Sequence, residues 1–155
     1  MFKAYLNIPF APVAWARTRG SGKRRFMPPR QRDYLARFVQ VARRQAPQEP
    51  MSGPVRVRAV YRIEIPESWP KWKKEAARSG QVFPTGKSDV DNHGKMTLDA
   101  LGAKRGGFFR DDAQVVFLEL RKVYSAHPGT DIWIEGIEQP ATVREWQRWI
   151  REATA

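Results

Sequence analysis

Apolar residues alternate with polar ones over Phe2, Ala4, Leu6 and Ile8, and Pro9 and Pro12 close the run. This pattern predicts a strand. Further on, Tyr34, Leu35, Phe38, Val39 and Ala42 recur at helical spacing and predict a helix over 31–45, behind a loop broken by Gly20, Gly22, Pro28 and Pro29. The cleanest alternation runs from Val55 to Ile65, with Val55, Val57, Ala59, Tyr61, Ile63 and Ile65 on one face and Arg56, Arg58 and Arg62 on the other. It reads as a half-buried antiparallel strand with a cationic outer side. A Trp/Lys insertion, Trp69 to Lys74, leads into a short helix ending near Arg78, and a second helix is expected from Asn92 to Leu101. Two more strands follow, over 114–124 and 130–138, and then a capping-box helix over 142–153 opened by Thr142 and Glu145. Four strands and flanking helices make one α+β domain with a mixed or antiparallel sheet. Its expected extent is 1–139, with a C-terminal helical extension over 140–155.

The 155 residues include 28 Lys and Arg against 16 Asp and Glu, for a formal charge of +12, and no Cys. Without thiols there is no disulfide framework, no thiolate metal site and no cysteine nucleophile, which suits an intracellular, cytoplasmic protein. No apolar run reaches the roughly 18 residues of a membrane helix, so no membrane association is expected. The excess positive charge points to a polyanionic partner. From Arg17 to Arg44 ten basic residues stand against one acid, Asp33. Arg17, Arg19, Lys23, Arg24, Arg25 and Arg30 are therefore candidates for phosphate contact on a nucleic acid.

Against this background five of the 16 acids, all Asp, fall between residues 89 and 112. Asp89 and Asp91, if extended, project to one side, and two carboxylates ~4 Å apart repel by about 4 kcal/mol at an effective dielectric of 20. Such a pair calls for a cation, a shared proton or heavy solvation. Hard oxygen ligands suit Mg²⁺, with Mn²⁺ able to substitute, better than zinc. Lys95 stands one helical turn beyond Asp91, placed to hold a phosphate or to stabilise charge in a transition state. The structural alternatives are plain: Asp91 caps a helix starting at Asn92, Asp111 or Asp112 are turn residues, and Asp99 pairs with Lys95 at i,i+4.

The string Lys87-Ser88-Asp89-Val90-Asp91-Asn92-His93-Gly94-Lys95, then Leu98-Asp99-Ala100-Leu101, then Arg110-Asp111-Asp112-Ala113-Gln114-Val115 resembles the RusA family of Holliday-junction resolvases. That resemblance implies a homodimeric, Mg²⁺-dependent endonuclease cutting four-way DNA junctions. It places the catalytic and metal-binding aspartates on Asp89, Asp91 and Asp112 and the essential lysine on Lys95; Lys87 joins the basic candidates for DNA contact. Asp111 matches a further family acid and, with Asp99, is a candidate for a place behind the metal ligands. His93 and Gly94 depart from the family pattern, and Gly94 costs a helix about 1 kcal/mol relative to Ala.

His93 is expected to face solvent, and His127 to sit in a turn; both stay outside the catalytic set. Phe26 is expected to anchor the basic loop to the core. Trp69 and Trp72 fit either base stacking or hydrophobic anchoring, and Trp146, Trp149 and Ile150 a packed stripe. Two rival functions remain: a non-catalytic binder of branched DNA or structured RNA, and a nuclease acting on flaps or forks.

Overall fold

The computed structural model describes residues 1–17, 26–86 and 88–155. Strands β1 (Lys3–Ile8), β2 (Val55–Glu64), β3 (Val115–Ser125) and β4 (Gly129–Gly136) form one sheet in the order β1-β4-β2-β3. β4 runs antiparallel to both β1 and β2, whereas β2 and β3 are parallel. The antiparallel pairing expected for β2 thus holds on one side only. Parallel neighbours need a crossover, and it is supplied by helices α2 (Lys71–Arg78) and α3 (Val90–Leu101) between the two strands. Helices α1 (Pro29–Arg43) and α4 (Val143–Thr154) complete the α+β fold.

Cross-strand register turns the period-two pattern into rows. Leu6, Ile132, Ala59 and Leu120 lie abreast on the inner face, and the next row reads Ile8, Thr130, Tyr61 and Lys122. α1 buries Tyr34, Leu35, Phe38 and Ala42 there, and α3 buries Met96, Ala100 and Leu101 beside it. On the outer face each arginine of β2 meets an acid: Arg56 with Glu135, Arg58 with Glu119 and Arg62 with Asp131, at 3.6, 3.5 and 3.0 Å. The side expected to be cationic is therefore locally neutralised. α4 reaches this side through Trp149, whose ring lies 5.9 Å from Phe117, while Trp146 is left half exposed.

Gly94 answers a packing demand. A β-carbon there would press on Leu120 Cδ1, the end of a side chain that would have to turn aside, so glycine lets α3 and Leu120 of β3 meet without a rotamer change. Gly94→Ala should therefore change stability by less than about 1 kcal/mol, because the better helix propensity offsets the shift forced on Leu120. Urea unfolding checks this, and a loss above about 2 kcal/mol would show that Leu120 has nowhere to move.

Candidate active site

α3 starts two residues earlier than the periodicity suggested. Asp89 is its N-cap, at φ −74° and ψ 143°, and its carbonyl accepts from His93 N at 3.2 Å. Asp91 is already helical, so it does not cap a helix at Asn92, and extended alternation does not relate the two acids. The Asp89 side chain makes no capping hydrogen bond. Both carboxylates are exposed, beside the positive end of a helix whose field favours anionic groups.

Lys95 follows Asp91 by one turn on the exposed face of α3, opposite His93, Met96 and Thr97. Its ammonium stands 3.6 Å above the ring of Trp15, and no ion pair joins it to Asp99 among the described residues. Trp15 N donates to the carbonyl of Asn92 at 3.0 Å, and Ala16 N donates to Gln31 Oε1 at 2.8 Å. These bonds tie the segment after β1 to α3 and α1. Trp15 is thus a site residue that sequence reasoning missed. Its contact spans eighty positions and lies in a stretch without periodicity, so only the pairing of an aromatic face with a needed cation could have suggested it.

The other three acids gather at the far end of the helix. Asp99, Asp111 and Asp112 line a cavity of about 320 Å³ with Leu98, Lys104 and Arg105. Asp91 and Asp99 are separated by about 12 Å of helix axis at 1.5 Å per residue. Among the described residues no group of three His, Asp or Glu side chains is assembled to hold a metal ion. The expected sharing of one ion by Asp89, Asp91 and Asp112 is therefore not formed in this single chain. Asp111 has a local role, as the cap of the 3-10 turn Asp112–Gln114, where it accepts from Ala113 N at 2.8 Å. Gln114 completes that box and ties it to the Met51 and Gly53 carbonyls.

His93 overturns the expectation of a solvent-facing histidine. It is 2% exposed, stacked on Tyr61 at 4.8 Å, with Nε2 2.9 Å from Ser88 Oγ. Burial, helped by the charge of Lys122, pushes its pKa down to about 4. Helical geometry accounts for this: position 93 lies one turn before Thr97, whose Oγ1 meets Tyr61 OH at 2.8 Å in the core. With Nε2 engaged and the ring buried, the accessible donors at the start of α3 are carboxylate oxygens.

A second cavity, of about 520 Å³, opens beside Ser88 and is lined by Pro12, Val13, Pro28, Arg30, Gln31 and His93. Arg17 and Arg30 are exposed, whereas Arg19, Lys23, Arg24, Arg25 and Lys87 lie outside the described residues. Phe26 is 63% exposed and so does not anchor its loop. Of the two insertion tryptophans, Trp69 packs on Tyr124 at 5.1 Å under Lys73, while Trp72 is exposed. His127 lies exposed in the bend between β3 and β4, its carbonyl accepting from Arg62.

An α+β domain of high positive charge, with uncapped aspartates and a lysine on one exposed helical turn, has the makings of a protein that works on nucleic-acid phosphates. The sequence model of the family described as endodeoxyribonuclease RusA matches residues 9–135, and the chain belongs to that family. It is also 38% identical over 132 residues to the uncharacterized protein YqaN of Bacillus subtilis (strain 168), across 81% of this chain and 91% of YqaN.

Proposed function

We propose that this chain is a divalent-metal-dependent endodeoxyribonuclease that resolves four-way DNA junctions as a homodimer. The observation that carries the reading is the exposed turn at the start of α3, where Asp89 and Asp91 face solvent uncapped and Lys95 is held out on Trp15. The donor set fits a hard ion, because Mg²⁺ takes one or two protein carboxylates and completes its shell with water and substrate phosphate. Asp89 and Asp91 would hold it. When bound, the ion polarises a phosphoryl group and lowers the pKa of an attacking water.

The chain's own groups do the rest. Lys95 offers its ammonium to the scissile phosphate, where fixed positive charge favours the transition state over the ground state. Trp15 keeps that ammonium from collapsing onto Asp91 or Asp99. Asp112 joins the proposal as the third catalytic carboxylate on the family resemblance, with Asp111 and Asp99 behind it, and Arg17, Arg30 and Lys87 meet the DNA backbone. Two symmetric incisions require two equivalent sites, which a twofold dimer supplies. Val116 and Leu118 stand 55% and 46% exposed on the open edge strand β3, an apolar edge suited to being covered by a second copy. No helix among the described residues is long and apolar enough to cross a membrane, and a DNA substrate places the reaction in the cytoplasm.

The test is to incubate the protein with labelled four-way junction, flap, fork and duplex DNA at matched salt, with Mg²⁺ or with chelator. Paired nicks across the junction, dependent on Mg²⁺, are expected. Metal-independent binding without cutting would establish the non-catalytic binder, and equal cutting of flaps or forks the broader nuclease. Trp15→Ala should reduce junction cleavage about three- to tenfold, the size of a lost cation–π contact, with junction affinity in chelator unchanged.

A further inference from the structure

Ser88 has φ +75° and is the one non-glycine residue with positive φ among the described residues. In that region a β-carbon crowds the neighbouring carbonyl, so a serine left to itself relaxes out of it. Two contacts oppose the relaxation. Lys122 Nζ donates to the Ser88 carbonyl at 2.8 Å, and Ser88 Oγ lies 2.9 Å from His93 Nε2. Both clamps stand on the same row of the sheet, since Lys122 of β3 is paired with Tyr61 of β2 and the Tyr61 ring carries His93.

From this arrangement we infer that Lys122, with His93, holds Ser88 in left-handed backbone and thereby aims the Asp89 carboxylate. Lys122 is then a positioning residue of the candidate metal site, an inference that rests on the reading of Asp89 as a ligand. The placement of α3 does not call for the strain, because the helix is fixed by Tyr61, Thr97 and Leu120. Asp89 joins Ser88 to fixed α3, and the carbonyl that Lys122 holds belongs to the peptide between the two, so release of that carbonyl lets the peptide plane turn about the Asp89 N–Cα bond. Nor is Lys122 engaged elsewhere: it pairs with no carboxylate among the described residues. An ammonium spent on a strained carbonyl one residue before a catalytic acid is the kind of stored strain that serves a site.

The experiment compares wild type with Lys122→Met, Ser88→Val, and Lys122→Met combined with Ser88→Asn. Asparagine enters left-handed backbone most readily among residues with a β-carbon, and valine resists it. The NMR Cα and Cβ shifts of residue 88 report its backbone without metal or DNA, and Mn²⁺ calorimetry reports the site without activity. Lys122→Met is expected to move residue 88 to extended shifts and weaken Mn²⁺ binding about tenfold, as loss of an outer partner does. Junction affinity in chelator should stay unchanged, and high Mg²⁺ should restore cleavage. Ser88→Val should reproduce that loss with Lys122 in place, and Ser88→Asn should recover most of it with Lys122 gone.

Wild-type shifts at residue 88 in Lys122→Met would overturn the inference. So would unchanged Mn²⁺ affinity, and if cleavage then fell at saturating metal, Lys122 would be touching DNA instead. A wild-type protein that shows left-handed shifts at Ser88 but neither binds Mn²⁺ nor cuts would sink the metal site itself. The two failures are thereby told apart.

Discussion

Asp91→Asn lowers Mg²⁺-dependent cleavage of a four-way junction by at least about 100-fold, the scale of losing one charge-stabilising group at a reacting centre. The side chain is exposed on the first turn of α3 and contributes nothing to the core, so the variant folds and its loss is chemical. The same substitution has an opposite effect on binding. Asp91 faces the DNA phosphates as a like charge wherever no cation screens it, and its neutralisation removes that repulsion. Junction affinity in chelator should therefore hold or tighten. Asp112→Asn measures how far the acid at the other end of α3 contributes to the same chemistry. A loss comparable to that of Asp91→Asn places both on one reaction, and wild-type rates would leave Asp112 a turn residue. Gel-shift and cleavage assays on the same preparations separate the two effects.

Acid weakens the fold through His93 by about 2–3 kcal/mol between roughly pH 7 and pH 4.5, from a pKa near 6.5 when unfolded and about 4 when folded. The folded state keeps the ring neutral because it is buried on Tyr61 beside the ammonium of Lys122. The unfolded state binds the proton first, so the contribution is complete above pH 6.5 and is lost as pH falls towards the folded value. Carboxylates such as Glu135, held low by its bond to Lys3, add their own acid sensitivity. Comparison with His93→Gln isolates the histidine: urea unfolding at the two pH values should give a smaller difference in the variant. An equal difference in both proteins would contradict the buried neutral ring.

The sheet was legible because its signal is local. Alternation in Phe2–Ile8 and Val55–Ile65 located β1 and β2 within a residue or two, and the helical stripe from Tyr34 to Ala42 located α1. The direction of β3 was not legible, since alternation is blind to whether a neighbour runs parallel. α3 starts two residues before the expected position because Asp89 and Asp91 are both N-cap residue types, so type alone does not choose between them, and Asp89 takes the position without a side-chain cap bond. That shift changes the site. An extended Asp89-Val90-Asp91 puts both carboxylates on one side, whereas an N-cap followed by a helical turn sets them by different rules. His93 is buried by the same 3.6-residue period that buries Thr97, a positional signal that outweighs the usual exposure of a histidine beside a helix start. Trp15, Ser88 and Lys122 were out of reach, because each acts through a contact between segments far apart in the chain.

The central claim is that the first turn of α3 seats a hard divalent ion beside a DNA phosphate. Paramagnetic broadening by Mn²⁺ tests it most directly, because amide signals fade with proximity to the ion and need no catalytic turnover. Titrating Mn²⁺ into the labelled protein should erase the amides of Asp89 to Lys95 first and spare β1 and β4, and Asp91→Asn should abolish the effect. Broadening that spares Asp89 to Lys95, or that survives in Asp91→Asn unchanged, would contradict the account and leave a basic DNA-docking surface without a metal centre.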